Sequence, residues 1–190
     1  MNLNRVTSAD SLKFYIAADS GKIFYSSNAG VSWVSQNTGI PNNIIDIDFI
    51  DANTGYAIAW EYGAINPNFY GSIILKTTNG GQIWDADYKI DTNIFYSKIA
   101  FTNNQFGLLL GHPIGILRTT NGGITFDSVG VGLIPTNSRC WAVWFANANT
   151  GFIGAGSQMA FNSNILKTTN GGVNWTNVYS STSNYIYNIA

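Results

Sequence analysis

The chain has 190 residues, 45% of them hydrophobic and 14% aromatic, so it is long and apolar enough to bury a substantial core. Charged residues make up only 10%, and 9 basic against 10 acidic side chains give a net charge of −1. This balance excludes the basic surface with which proteins bind nucleic acids or anionic membranes. No run of 18 apolar residues occurs, so we expect no membrane insertion.

One eight-residue motif occurs four times. Each copy has a hydroxyl residue, Asn two positions later, Gly after two more, and an aromatic residue three positions further on. The copies are SSNAGVSW at 26–33, TTNGGQIW at 77–84, TTNGGITF at 119–126 and TTNGGVNW at 168–175. Successive Asn residues lie 51, 42 and 49 positions apart, a period typical of propellers, solenoids and arrays.

The motif predicts a compact turn between two strands, which we call the Asn-Gly turn. Asn hydrogen-bonds the backbone ahead of it, and Gly allows the positive φ that such a turn needs. The aromatic residue then begins the next strand. A buried ring contributes at most about 4–6 kcal/mol, which favours a structural role. We therefore predict that the rings of all four copies are buried: Trp33, Trp84, Phe126 and Trp175.

In chain order, each repeat reads as strand A, a Gly-containing turn, strand B, a variable loop, strand C, the Asn-Gly turn and strand D. The second turn lies between a Phe and a Gly six positions apart, as in Phe49 and Gly55. Helical periodicity is not evident. The pattern predicts an all-β fold of β-propeller blades, each with four antiparallel strands.

The blades are expected at about 1–38, 39–91, 92–135 and 136–182, as one propeller repeat region. The last residues, NYIYNIA at 184–190, repeat the start of strand A and predict one extra strand. Either this strand starts a further blade of a larger array, or it completes the first blade of a closed four-bladed ring. We favour the larger array, because Leu3 to Val6 already provide a weak first strand, but the sequence leaves both open.

The four copies resemble the Asp-box of bacterial neuraminidase-type repeats, S-x-D-x-G-x-T-W, with Asn in the Asp position each time. The wider repeat is similar to that of photosystem II assembly factors and of many secreted bacterial surface proteins. This resemblance covers nearly the whole chain and implies a propeller. It also implies an extracellular or cell-surface location, although no leader is present in these residues. It says little about activity, because the Asp-box is a folding turn in enzymes and non-enzymes alike.

Candidate catalytic residues are few. Cys140 and His112 are the only residues of their types, and Cys140 lies in the apolar run CWAVWF, where we expect it to be buried. Glu61 is the only Glu, whereas glycosidases need two placed carboxyl groups. The sialidases that the motif resembles also use three arginines. This chain has three, but Arg118 occupies the repeat position of Lys76 and Lys167.

The paired acids do not change this assessment. Asp46 and Asp48 share a strand face, as do Asp85 and Asp87, but acids two positions apart are more often a solvated edge than an acid–base pair. No zinc spacing, calcium loop or phosphate-binding Gly loop occurs. We therefore expect no enzymatic activity, no metal and no cofactor.

The longest interruption of the repeat is WEYGAINPNFYG at 60–71, between strands B and C of the second blade. Its aromatic residues can stack on sugar rings or anchor a protein, and Glu61 adds polar direction. Alternatively, the loop folds its aromatics over its own blade. The predicted binding residues are Trp60, Glu61, Tyr62, Phe69 and Tyr70.

The sequence thus indicates a binding or assembly module that presents loops on a propeller to a protein or glycan ligand. The alternative is a fragment of an Asp-box glycoside hydrolase of the sialidase or xyloglucanase type.

Overall fold

The computed structural model describes residues 1–62, 70–90, 95–112, 115–129, 133, 138–157 and 162–182. The described residues form sixteen strands. They are β1 (Leu3–Ser8), β2 (Phe14–Ala18), β3 (Lys22–Ser26), β4 (Val34–Asn37), β5 (Ile44–Phe49), β6 (Gly55–Tyr62), β7 (Tyr70–Thr77), β8 (Asp85–Ile90), β9 (Phe95–Phe101), β10 (Gly107–His112), β11 (Gly115–Thr119), β12 (Asp127–Ser128), β13 (Arg139–Phe145), β14 (Gly151–Ser157), β15 (Asn162–Thr168) and β16 (Thr176–Ser181).

These strands form four antiparallel sheets, and each sheet contains four strands that are consecutive in the chain. Each sheet has the up-and-down order of a propeller blade, in which every strand pairs with its neighbour in sequence. The predicted all-β class and the four-stranded blades are therefore confirmed. The extra strand predicted at 184–190 lies outside the described residues.

The chain divides into two compact units, Met1–Phe95 and Tyr96–Ala190. In the first unit, a core lies between the first and second sheets and contains Tyr15, Ile47 and Leu75. The rings of Tyr15 and Phe49 stack there at 3.7 Å. In the second unit, Leu108 packs with Leu166 and their neighbours in a separate core. Each core is built from the alternate side chains of facing strands.

Hydrogen bonds within each Asn-Gly turn explain the fixed spacing of the motif. In the second copy, Thr77 Oγ1 accepts the N–H of Gly81 at 2.9 Å and donates to Asn79 Oδ1 at 3.0 Å. Asn79 Oδ1 in turn accepts the N–H of Ile83 at 3.0 Å. Gly81 has a φ of +81°, which favours glycine. The other three copies repeat these bonds.

The turn between strands A and B contains a side-chain hydrogen-bond acceptor whose role the repeat pattern does not reveal. Asp51 Oδ1 accepts the N–H groups of Asn53 and Thr54, both at 2.7 Å, and these bonds lower the pKa of the carboxyl. The carbonyl of Asn53 accepts the N–H of Gly80 at 2.8 Å. This last bond ties the A–B turn to the Asn-Gly turn of the same sheet. Equivalent acceptors occur in the other sheets at Asp10, Asn103 and Asn147.

The six-residue spacing of Phe and Gly has a packing cause. A Cβ placed on Gly55 would lie 2.6 Å from the ring of Phe49, so the ring covers the space that a side chain would need. Phe49 and Gly55 face each other across the β5–β6 ladder. The same contact recurs between the equivalent Phe and Gly in the other two copies. Glycine is therefore required at this position by the close approach of the ring.

The burial predicted for the four aromatic residues is only partly correct. Trp84 and Trp175 are 7% and 5% exposed, which confirms their place in the core. Phe126 is half-buried. Trp33 is 38% exposed, so the prediction that it is buried is wrong.

The exposure of Trp33 follows from its position in the first unit. Trp84 belongs to the core that the second sheet shares with the first. By the repeat, Trp33 occupies the face of the first sheet that points away from the second sheet. Ile16 and Phe24 on β2 and β3 are also only half-buried. No described sheet of this unit covers that face, so its rings stay in contact with solvent.

The expectation of a solvated edge at Asp46 is also wrong. Asp46 is 2% exposed, and its Oδ1 lies 3.5 Å from Nε of Arg5. The β5–β6 register shifts between Ile44 and Asp46, which marks a β-bulge. After this bulge the ladder is regular, and Asp46 lies opposite Ile58, which is fully buried, so its carboxylate lies on a buried face of the sheet. Asp85, by contrast, is exposed as expected, and the side chain of Asp87 lies outside the described residues.

Candidate functional site

The site predicted from the interrupted repeat begins on a strand. β6 runs to Tyr62 and β7 starts at Tyr70, so Trp60 pairs with Ser72, and Tyr62 pairs with Tyr70. The sequence predicts a loop over the whole of 60–71, and the observed ladder corrects this at both ends. The ladder extends further because these aromatic residues favour strands and pair across them. Phe69 and the side chain of Tyr70 lie outside the described residues.

Alternation along β6 separates the three described site residues. Trp60 and Tyr62 share one face of the strand, and Glu61 points to the opposite face. The first two form an aromatic cluster with Phe95, where Tyr62 stacks on Phe95 at 4.6 Å and Trp60 meets Phe95 edge-on at 5.8 Å. Tyr62 remains 51% exposed. In this aromatic cluster, Tyr62 therefore exposes its ring to solvent while it packs against the rings of Trp60 and Phe95.

The carboxylate of Glu61 is buried and held in place. It is only 3% exposed, and Asn42 Nδ2 donates a 2.8 Å hydrogen bond to its Oε2. The same amide donates to the carbonyl of Trp60 at 3.0 Å. The carbonyl of Asn42 accepts the N–H of Gly21 at 2.8 Å, so Asn42 is fixed on the first sheet. The segment between the first two sheets thus orients the carboxylate of Glu61 on the second sheet.

A pocket of about 370 Å³ opens at this place. It is lined by Pro41, Asn42, Asn43 and Ile45 on one side, and by Trp60, Glu61 and Tyr62 on the other. Its volume is within the range of small ligand sites. The structure therefore brings three of the predicted site residues to one pocket. Asn42, Phe95 and the 41–45 segment were missed, because no local pattern in the sequence marks them.

The basic residues at the shared repeat position have structural roles. The guanidinium of Arg118 lies 5.2 Å from the ring centroid of Phe106, and its Nε donates to the carbonyl of Gly171 at 2.9 Å. The ammonium groups at the equivalent positions, Lys76 and Lys167, lie over the rings of Tyr56 and Phe152. These cation–π contacts stabilise the sheets and explain why a cation recurs before each of these Asn-Gly turns.

The remaining candidates offer no catalytic arrangement in the described residues. Cys140 is 4% exposed, and burial raises the pKa of its thiol to about 12, so it packs as a small apolar residue as predicted. The side chain of His112 lies outside the described residues. Within the described ranges, no three His, Cys, Asp or Glu residues come close enough to hold a metal ion. The same ranges contain no helix long and apolar enough to span a bilayer.

The fold and the turns place this chain among β-propeller repeat proteins, and comparisons with solved structures agree. The chain resembles YCF48 bound to a D1 peptide with a TM-score of 0.66 and 16% identity, over 98% of this chain and 56% of that one. It also resembles the GH74 xyloglucanase from Xanthomonas campestris, with a TM-score of 0.67 and 12% identity, over 94% of this chain and 30% of that one.

A third similar structure is an ancestral GH74 enzyme, with a TM-score of 0.62 and 22% identity, over 91% of this chain and 23% of that one. The chain thus spans less than two thirds of each of these proteins. It matches no protein-family model and no curated protein sequence. At these identities the likeness shows the fold alone.

Proposed function

We propose that this chain is a non-enzymatic binding module whose propeller blades present a site for a polypeptide partner. The observation that carries this proposal is the half-exposed ring of Tyr62, held on Trp60 and Phe95 beside a pocket that contains the buried Glu61. Aromatic residues of this kind dominate binding energy at protein interfaces. Because the three rings pack against one another, they lose little conformational entropy when a partner binds.

The similar structure of YCF48 contains a bound D1 peptide. That similarity covers almost the whole of the present chain. It supports the proposal that this type of scaffold binds a polypeptide ligand here. It does not transfer the peptide or its site, because the two chains share 16% of their residues. The location of the partner surface therefore rests on the aromatic cluster and the pocket.

A glycoside hydrolase fragment is the second candidate, because two of the similar structures are GH74 enzymes. Hydrolysis of a glycoside needs two carboxyl groups on either side of the bond. Among the described residues that line the pocket, Glu61 supplies one carboxyl group and no second acid accompanies it. Incubation with xyloglucan and sialosides tests this candidate. Turnover that disappears in Glu61→Gln would replace the binding module by an enzyme.

The experiment that tests the binding module uses two surface aromatic residues with similar exposure. Tyr62 is 51% exposed at the pocket, and Tyr179 is 44% exposed on β16. We expect Tyr62→Ala to weaken binding to a peptide array at least about tenfold and Tyr179→Ala to leave it unchanged. Equal binding by both variants, or binding to glycans with no retained peptide, would contradict the proposal.

We also propose that the module acts outside the cell or on its surface. This location rests on the low charge content and on the similarity of the repeat to those of secreted surface proteins. Fractionation of cells that produce the protein tests it. Recovery in the cytosol alone would contradict this location without affecting the binding proposal.

A further inference from the structure

Three Asn-Gly dipeptides occur in the chain, and each lies within an Asn-Gly turn. They are Asn79-Gly80, Asn121-Gly122 and Asn170-Gly171. Asparagine is a chemically labile residue. Glycine after it makes it more reactive, because no Cβ hinders the approach of the following backbone nitrogen to the side-chain amide. These dipeptides are therefore the positions where the chain is most susceptible to deamidation.

Deamidation needs the Asn side chain, the next backbone nitrogen and water. The nitrogen of Gly loses its proton to a water-derived base and forms a bond to Cγ of Asn. The Cγ–Nδ2 bond then breaks, and Nδ2 takes up a proton and leaves as ammonia. Water opens the resulting succinimide ring at one of its two carbonyl groups, which leaves either aspartate or isoaspartate. Both reacting groups must be free to move for the ring to close.

The geometry of the turn favours glycine after the Asn. Gly80 has a φ of +68°, and a Cβ on it would lie 3.2 Å from the carbonyl oxygen of Ala52 in the A–B turn. Gly171 has a φ of +66°, and its Cβ would lie 3.0 Å from the carbonyl oxygen of Ala148. The first copy has Ala29 at this position, with a φ of +56°. The fold thus explains why three copies contain a reactive dipeptide.

Hydrogen bonds in the native turn restrain the attacking nitrogen. The N–H groups of the three glycines donate to carbonyl groups of the A–B turns, at 2.8, 2.9 and 2.9 Å. The acceptors are the carbonyls of Asn53, Gln105 and Asn149. A nitrogen held in this way is fixed in position, and its proton is not accessible to water. The A–B turn of each sheet therefore hinders the first step of the reaction.

The side chain of the Asn is restrained as well. Oδ1 of Asn170 accepts the hydroxyl of Thr168 at 3.0 Å and the N–H of Asn174 at 2.9 Å. Asn79 and Asn121 make the equivalent bonds. To bring Cγ to the glycine nitrogen, the side chain must rotate and give up these bonds. The folded turn therefore holds both reacting groups apart.

We propose that Asn79, Asn121 and Asn170 are latent deamidation sites, and that the A–B turn of the same sheet controls their reaction. Each site reacts only when the bond from its glycine N–H opens, so its rate follows the local opening of its own sheet. Isoaspartate lengthens the main chain by one atom, so a turn that has formed it loses the spacing on which its hydrogen bonds depend. This inference is independent of the proposed binding function.

The first test compares folded and unfolded wild-type protein. Both are incubated at the same pH and temperature, the second in guanidinium chloride, and mass spectrometry of peptides measures conversion at each Asn. We expect all three sites to react at least about tenfold more slowly in the folded protein. Asn28, which precedes Ala29, is the control and should react slowly in both samples. Equal rates at the three sites in the two samples would overturn the inference.

The second test loosens one A–B turn. Asp51 Oδ1 accepts the N–H groups of Asn53 and Thr54, so Asp51→Ala removes two hydrogen bonds to a carboxylate. We expect the rate at Asn79 to rise at least about tenfold and the rate at Asn170 to stay unchanged. Asp51→Asn is the matched control and should keep the wild-type rate. An amide suffices for this role, because Asn147 performs it in the fourth sheet.

The reciprocal variant, Asn147→Ala, should accelerate the reaction at Asn170 and not at Asn79. Circular dichroism verifies that each variant is folded. In a folded variant, acceleration at both sites alike, or at neither, would overturn control by the turn of the same sheet. If the variants do not fold, amide hydrogen exchange of the wild-type protein supplies the test. The three glycine N–H groups should exchange in the same order of rate as their Asn residues deamidate, and a different order would contradict the inference.

Discussion

The two tryptophans Trp84 and Trp33 occupy the same position in the repeat and differ in burial, so they form a matched pair for mutation to Ala. Trp84 is 7% exposed and Trp33 is 38% exposed. A tryptophan buries roughly 150–250 Å², and at about 25 cal/mol/Å² the difference in exposure corresponds to about 1–2 kcal/mol. Removal of Trp84 also leaves a cavity between two sheets, which adds to its cost.

We therefore expect Trp84→Ala to lower the free energy of unfolding by about 3–5 kcal/mol, and Trp33→Ala to lower it by about 1–2 kcal/mol. Urea denaturation followed by far-UV circular dichroism measures both values, provided that the slope with denaturant stays constant. Equal losses for the two variants would show that the burial assigned to these rings is wrong. A loss below about 1 kcal/mol for Trp84→Ala would refute its role in the core.

Three further outcomes follow from single contacts. Trp175 Nε1 donates to the carbonyl of Gly172 at 3.1 Å, whereas Trp84 Nε1 is buried without a partner in the described residues. Urea unfolding should therefore show that Trp175→Phe lowers the free energy of unfolding by about 1 kcal/mol more than Trp84→Phe does. The reverse order would contradict these contacts. Gly107→Ala should lower the free energy of unfolding by about 1–3 kcal/mol, because its Cβ would lie 2.6 Å from the Phe101 ring. In a double-mutant cycle, Phe101→Leu should recover part of this loss. Additive losses would argue against the contact. Burial raises the pKa of Cys140 to about 12, so a thiol reagent should label it only in denaturant, and rapid labelling of the native protein would count against that burial.

The fold could be predicted because its determinants are local in sequence. Thr77, Asn79 and Gly81 form their hydrogen bonds within one turn, so a motif of eight residues carries the whole geometry. The spacing of Phe49 and Gly55 is set by one ladder. The exposure of Trp33 depends instead on which sheet covers its face, and the local motif contains no information about that neighbour.

The candidate site was predictable only as a place where the repeat is interrupted. Trp60, Glu61 and Tyr62 stood out as an irregular run of aromatic and charged residues. Two further features of the site depend on strand register and on contacts between separate segments. They are the hydrogen bond from Asn42 to Glu61 and the stacking of Phe95 on Tyr62. One residue of change in register would exchange the faces of these side chains, and composition does not reveal register.

The hydrogen bond between the A–B turn and the Asn-Gly turn has a consequence for the rate of folding. It joins Gly80 to Asn53 in the second sheet and Gly171 to Asn149 in the fourth, so it always closes within one sheet. Contacts between residues near in sequence form quickly, because little chain entropy is lost in closing the loop. We therefore expect each sheet to fix its own turns early, and the packing of one finished sheet on the next to be the slower step.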